Sequence, residues 1–528
     1  MTFYSQIIYN ISVETGRGCN KQTLQTGEVC GGCMDLKIKA AITVSRIVSA
    51  ACRLIGHGGT SLPGKAALLF CPDIITKLSA GYRVIMVTGT NGKTTTAKII
   101  CRILECSGIP YITNKSGANL KSGIAATFAL NSSALKAAAA LPKGGTHIKG
   151  NNPPKVSSPV TAQVYAVLET DEAALSIVSP LIKPEILVVT NFFRDQLDRY
   201  GELNTLISGV ARAIGQIRET RLVLNADDSL CASLAKDVPN EKIFFGFSPE
   251  AAAVVSDSSR TILSDASYCM YCKNKYSYSF TTYAHLGGFS CPVCGYARPV
   301  PNVCCKSVVS RAQDHTSAVF TTGNCDGGVT SSYNVRINLP GTYNIYNALA
   351  AFSCSQSLSL PADHAVEALG SFKSGFGRME TVRAGNKTIQ MILVKNPTGF
   401  NQVLEHMASS AEELSACCFA IVINDRIADG TDISWLWDVR FEDLHSNLPE
   451  KTMILVSGIR SAEMAVRLKY AGFPPSGIVV EDDYAALIEK GLAGTEDDGV
   501  FYLLPTYTAM LDLRKILARK YKLGKYWH

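Results

Sequence analysis

The sequence predicts an α/β protein: a P-loop domain interrupted by a four-cysteine ribbon, followed by a Rossmann-like domain. Three observations predict it. From Tyr82 onward, short apolar runs alternate with amphipathic stretches, the pattern of buried parallel strands joined by helices. The stretch Thr88 to Thr96 (TGTNGKTTT) stands between one such run and a helix. A second strand-and-helix series opens after Gly375.

The chain has 528 residues, enough to bury several cores. Hydrophobic residues make up 47% and charged residues 18%, which excludes a disordered chain, and 42 Gly with 21 Pro excludes a fibrous one. The 51 basic and 44 acidic residues leave a formal charge of +7, too diffuse to argue for nucleic acid. The 18 cysteines are scattered through a long chain, so a reducing compartment is expected rather than a disulfide framework. No uncharged apolar run reaches the roughly 18 residues of a membrane span.

In chain order, residues 1–33 are polar, carry Cys19, Cys30 and Cys33, and read as an extension. Residues 1–65 hold only Glu14, Glu28 and Asp35 as acids, which also fits a transit peptide. Residues 34–80 read as an N-terminal helical segment whose basic, apolar helix is compatible with resting on a membrane surface. Residues 81–375 form the central domain, with strands expected in YRVIMVT, VYAVLET, ILVVT, LVLNADD and KIFFGF. Asn131 to Val160, rich in Ala, Lys, Gly, Pro and Ser, reads as a surface loop. Residues 376–528 form the C-terminal domain, with strands expected in QMILVK, CCFAIVIND, TMILVSG, GIVVED and FYLLPTY.

A loop of small residues at a helix start offers backbone N–H groups to phosphate oxygens, here from Gly89, Thr90, Asn91, Gly92 and Thr95. Lys93 adds charge near the outer phosphates, and Thr94 offers a hydroxyl to magnesium. Strict P-loop spacing would need glycine at Val87, so this is a shortened form. The cysteines Cys269-x-x-Cys272 and Cys291-x-x-Cys294 form a second motif, separated by eighteen residues within an insert at about 265–300. Four thiolates close a tetrahedron around zinc and leave no position for water, so the site is expected to be structural.

GTNGKTTT resembles the P-loop of the Mur ligases, ATP-dependent enzymes that form amide bonds in peptidoglycan precursors. That resemblance implies a magnesium-binding role for Glu169 in LETDE, an adenine contact at Asn225 in NADD, and an ATP-reaching arginine at Arg378 in FGRME. YNIYNALAA at 343–351 resembles a family segment with two asparagines. The ribbon, TNFFRDQLDRYGE, KNPTGFNQ, NDRIADGTDISWLWD and LPTYTAMLDLR together resemble the MurT branch of that family.

What this branch implies is amidation of the D-glutamate α-carboxyl of lipid II through an acyl phosphate, with ATP and magnesium. No glutaminase-type G-x-C-x-G nucleophile elbow is recognised among the cysteines, so ammonia is expected from a GatD-like glutaminase. Asp432 in DGTD would orient that partner's catalytic histidine, and it is also a good turn-capping residue. Two departures from amino-acid-adding Mur ligases stand out: Gln196 replaces their histidine, and no lysine occurs between Lys183 and Lys236. The alternatives are a Mur or folylpolyglutamate-type ligase adding an amino acid, or a nucleotide-gated scaffold using the ribbon and the basic tail from Arg514 to Lys525. The expected location is the cytoplasm, with the inner face of the membrane as one option there and a plastid as the alternative in a eukaryote.

Overall fold

The computed structural model describes residues 31–54, 61–114, 117–134, 163–195, 203–256, 265–312, 314–325, 327–372, 378–408, 418–448 and 452–523. The extension before residue 31, residues 135–160 of the Ala/Lys-rich loop, Gln196, Gly377 and Lys525 lie outside the described residues.

The first lobe is a nine-stranded sheet ordered β11-β10-β9-β6-β5-β4-β1-β3-β2, with β2 (Tyr111–Thr113) at one edge, while β7 (Ser277–Thr281) and β8 (Gly287–Ser290) pair with each other apart from it. Its parallel centre holds β1 (Arg83–Thr88), β3 (Tyr165–Glu169), β4 (Ile186–Val189), β5 (Arg221–Asn225) and β6 (Lys242–Phe247), where the apolar runs predict strands. These strands are apolar on both faces because both faces are covered. In β1, Ile85 and Val87 enter one core and Val84 and Met86 the other; β3 and β4 divide their residues in the same way. The helices Lys93–Cys106 and Thr342–Ser357 cover the first face, and Lys121–Leu130, Glu172–Ile182 and Leu203–Gln216 the second.

The connection from β1 runs to β2 on one side, and after β3 the chain crosses to β4 and β5 on the other, so the strand order reverses at β1. A crevice therefore opens at its carboxyl end, where the glycine-rich loop begins. The outer edge is an antiparallel extension of β9 (Val303–Arg311), β10 (Thr316–Asn324) and β11 (Gly328–Ile337), which the sequence reading did not separate.

The second lobe is a six-stranded sheet ordered β12-β13-β17-β14-β15-β16. Only β12 (Arg378–Ala384) runs antiparallel, to β13 (Lys387–Ile392). The others, β14 (Cys418–Val422), β15 (Ile454–Ser457), β16 (Ile478–Val480) and β17 (Val500–Pro505), are parallel, as a Rossmann-like arrangement requires. The sequence places the strand in QMILVK about three residues later than β13 itself.

Two cysteine readings need correction. Among the described residues Cys304 and Cys325 are disulfide-bonded, whereas twelve other cysteines are free. Gly323-Asn324-Cys325-Asp326-Gly327 does have the G-x-C-x-G spacing. Yet it lies where β10 gives way to antiparallel β11 rather than between a strand and a helix, and Cys325 is bonded, so it offers no nucleophile.

Candidate functional site

The loop after β1 is shaped by two glycines. Gly89 has φ +121° and Gly92 φ +84°, conformations that favour glycine. A Cβ at Gly92 would stand 2.0 Å from Asn347 Oδ1, so the loop and the Thr342–Ser357 helix approach only because no side chain is there. The strand end after β4 holds the loop from the other side: Asn91 N–H donates to Asn191 Oδ1 at 2.9 Å, and Thr190 Oγ1 donates to the Asn91 carbonyl at 2.7 Å.

Lys93 opens the Lys93–Cys106 helix and is buried. Its ammonium donates to the carbonyls of Gly89 and Thr90 and lies 3.1 and 3.2 Å from the Glu172 carboxylate. Burial pulls its pKa down, but Glu172, Asp171, Glu169 and Asp195 together push it up further, so it stays a cation. Beside it Thr94 Oγ1 donates to Glu169 Oε2 at 2.6 Å, and Asn114 grips the Glu169 backbone through both its amide groups. Two hard oxygen donors side by side are a donor set that suits magnesium, an ion that keeps several of its waters.

The second lobe contributes residues that the sequence reading did not single out. Lys395 donates to the Thr90 carbonyl at 3.3 Å, the same carbonyl that Lys93 reaches at 3.3 Å, and is paired with Asp195. Asn396 donates to Asn91 Oδ1 at 3.0 Å. Glu172, Asn191, Asp195, Lys395 and Asn396 thus join the loop; their only sequence signal was membership of the quoted LETDE, TNFFRD and KNPTG stretches.

Between the lobes a cleft is lined by Asn91, Thr95, Lys98, Asn344, Asn347, Lys395 and Thr398, among others. The two asparagines are linked, Asn347 Nδ2 donating to Asn344 Oδ1 at 3.0 Å. Asn225, which the resemblance expects to meet adenine, ends β5. It is fully buried, its amide donating to the Thr190 carbonyl at 3.0 Å and accepting from Asp227 N–H, so it ties β5 to the loop support and does not line this cleft. Arg378 begins β12, its backbone paired with Ile392, a cleft residue.

In the ribbon the four sulfurs of Cys269, Cys272, Cys291 and Cys294 lie within 4.8 Å of one another. Zn–S bonds of about 2.3 Å place tetrahedral sulfurs ~3.8 Å apart, so the spacing fits zinc. The ribbon clamps the segment after Asn225. Arg298 Nε donates to Asp227 Oδ1 at 2.7 Å, Gly287 N–H donates to the Asp227 carbonyl, and Tyr296 Oη donates to the Ser229 carbonyl. Asp228 in turn accepts from Phe192 N–H at 2.7 Å, two residues beyond Thr190.

Asp432 lies far along the second lobe, exposed, and accepts from both the N–H and the hydroxyl of Ser434 at 2.8 and 2.9 Å. It caps the turn leading into the 3-10 helix Ser434–Asp438. Ile427 and Trp437, both near it in sequence, are 83% and 55% exposed.

Residues 87–281 match the family model for the Mur ligase middle domain, and residues 393–510 match that for the MurT ligase C-terminal domain. The chain is 33% identical over 490 residues to the lipid II isoglutaminyl synthase (glutamine-hydrolyzing) subunit MurT of Streptococcus pneumoniae, covering 92% of this chain and 98% of that one. Its counterpart in Staphylococcus aureus is 30% identical, with 92% and 99% covered. Among solved structures, a pseudomurein peptide ligase type C from Methanothermus fervidus aligns with a TM-score of 0.57 at 18% identity, covering 84% of this chain and 80% of that one. MurF from Acinetobacter baumannii aligns with a TM-score of 0.57 at 15% identity, covering 87% and 80%. These two likenesses show the fold alone.

Proposed function

The chain belongs to the MurT family of Mur-type ligases, and we propose from that premise that it is the ATP-consuming, amide-forming subunit of a lipid II isoglutaminyl synthase. The acceptor is the D-glutamate α-carboxylate of the stem peptide. A carboxylate resists nucleophiles until one oxygen becomes a good leaving group. In this reading a carboxylate oxygen takes the terminal phosphoryl group of ATP, releasing ADP. Ammonia then attacks the acyl carbon, phosphate departs, and a proton is lost to leave the primary amide. The ammonia comes from a GatD-like glutaminase, in keeping with relatives named as subunits.

The observation that carries this reading is the meeting of Lys93 and Lys395, one from each lobe, on the single carbonyl of Thr90. Two ammonium groups at a phosphate loop are placed to stabilise charge on a phosphoryl group in transfer. Thr94 and Glu169 would hold magnesium, which when bound neutralises phosphate charge. The asparagines Asn344 and Asn347 line the cleft where the nucleotide would lie, and Arg378 is proposed to reach ATP from β12.

The test supplies the chain and its glutaminase with lipid II, ATP and magnesium, and one nucleophile source at a time. Glutamine or ammonium should yield ADP and amidated lipid II by mass spectrometry. A product carrying an added amino acid would replace this reading with that of an amino-acid ligase.

A further inference from the structure

The helix Gly31–Leu54 has an inner face that packs on the first lobe, with Ala41 and Ser45 buried and Ile38 and Ile42 against the core. Its outer face is not polar. Leu36, Ile47 and Leu54 are 68%, 62% and 89% exposed. At 100° per residue, positions eleven and seven apart fall within about 20° of one another, so these three form one stripe about 27 Å long. Leu62 and Leu69, seven residues apart on the next helix (Leu62–Phe70), are also exposed.

Charge accompanies the stripe. Lys37, Lys39, Arg46 and Arg53 are exposed on the first helix and Lys65 on the second, and no Asp or Glu occurs from residue 36 to 70. Five of the chain's net +7 charges therefore sit in this one stretch. No described helix is long and apolar enough to cross a membrane. An exposed apolar stripe flanked only by cations is the pattern of a helix that lies in a bilayer interface, apolar side chains in the acyl boundary and cations among anionic headgroups.

We propose that the outer face of Gly31–Leu54, continued by Leu62–Phe70, docks the protein on an anionic phospholipid bilayer. The surface argument stands without the amidation reading, although a lipid-carried acceptor would be met at such a surface. Binding needs no turnover, so the two ideas fail separately.

The experiment mixes the full chain with vesicles of phosphatidylcholine, or of equal parts phosphatidylcholine and phosphatidylglycerol, and sediments them. The protein should pellet with the anionic vesicles only, and less so as salt rises. Leu36→Glu, Ile47→Glu and Leu54→Glu combined should lower the bound fraction about tenfold, and so should Lys37→Glu with Arg53→Glu. All five positions are exposed, and thermal melting by circular dichroism checks that both variants are folded. A folded wild-type chain that stays in the supernatant overturns the proposal, as do folded variants that bind like wild type. A wild-type dimer that the triple variant converts to a monomer also overturns it, by assigning the face to a second copy.

Discussion

Lys93 Nζ lies 3.1 and 3.2 Å from the two oxygens of Glu172, and both side chains are buried. Removing one partner of such a pair strands the other charge and costs ~3–5 kcal/mol. Burial already pushes the Glu172 carboxyl up, so uptake of a proton offsets part of that cost. Lys93→Met is expected to lower ATP-dependent turnover at least ~10²-fold and to lower the melting temperature; adding Glu172→Gln should restore stability but not turnover. An unchanged melting temperature in the single variant would count against the pair. A second residue reports through pH. Burial, with Arg311 nearby, pulls the His406 pKa down to about 4. The unfolded chain then takes up the proton first, so this contribution to stability is whole above about pH 6.5 and is lost as pH falls toward 4, by roughly 3 kcal/mol. His406→Gln should flatten melting temperature against pH in that window, and profiles of equal slope would reject the assignment.

The ribbon acts on the phosphate loop at one remove, since none of its cysteines lines the cleft. Arg298 and Gly287 hold Asp227, Asp228 holds Phe192, and Thr190 and Asn191 hold Asn91. Loss of zinc is expected to loosen this chain of contacts as well as the ribbon. Cys269→Ser should lose its zinc by elemental analysis, melt at lower temperature and bind ADP about tenfold more weakly; full metal content would reject the ribbon, and unaltered ADP affinity the relay. The same elements show what the sequence made legible. Strands β1, β3, β4, β5 and β6 were readable because sheet burial on both faces makes them continuous apolar runs. Strand β9 is buried mainly over its first three residues, β10 and β11 largely alternate buried with more exposed residues, and all three lie beyond a ribbon insert, so no long apolar run marked them. The P-loop was legible because its residues are contiguous. Lys395 was not, because 305 residues separate it from Thr90 and only the packing of two sheets brings them together. Asn225 shows where a motif is ambiguous, because an asparagine that braces a turn from within has the same sequence as one facing a ligand.

Across the whole molecule the two lobes meet through polar contacts at the cleft. Lys395 pairs with Asp195, Asn396 donates to Asn91, and Arg194 lies 3.6 Å from Asp438, the last residue of the 3-10 helix whose entry Asp432 caps. Asp432 itself is exposed, as are Ile427 and Trp437, five residues to either side of it, so its carboxylate is accessible to another protein while it caps the turn. Capping and partner roles can be separated by one substitution. Asparagine keeps an Oδ1 able to accept from the Ser434 N–H, so Asp432→Asn should preserve the turn and the melting temperature. It removes the negative charge that would orient and stabilise a histidine on the glutaminase, a change that costs about 10⁴-fold in a Ser-His-Asp triad. Glutamine-driven amidation by the Asp432→Asn complex should therefore fall by several orders of magnitude, while amidation driven by added ammonium proceeds as in wild type, because the phosphate loop, Lys93 and Lys395 are untouched. Equal loss with both nitrogen sources would mean that the carboxylate serves the fold of its own lobe, and equal retention would mean that the glutaminase completes its catalytic group without help from this chain.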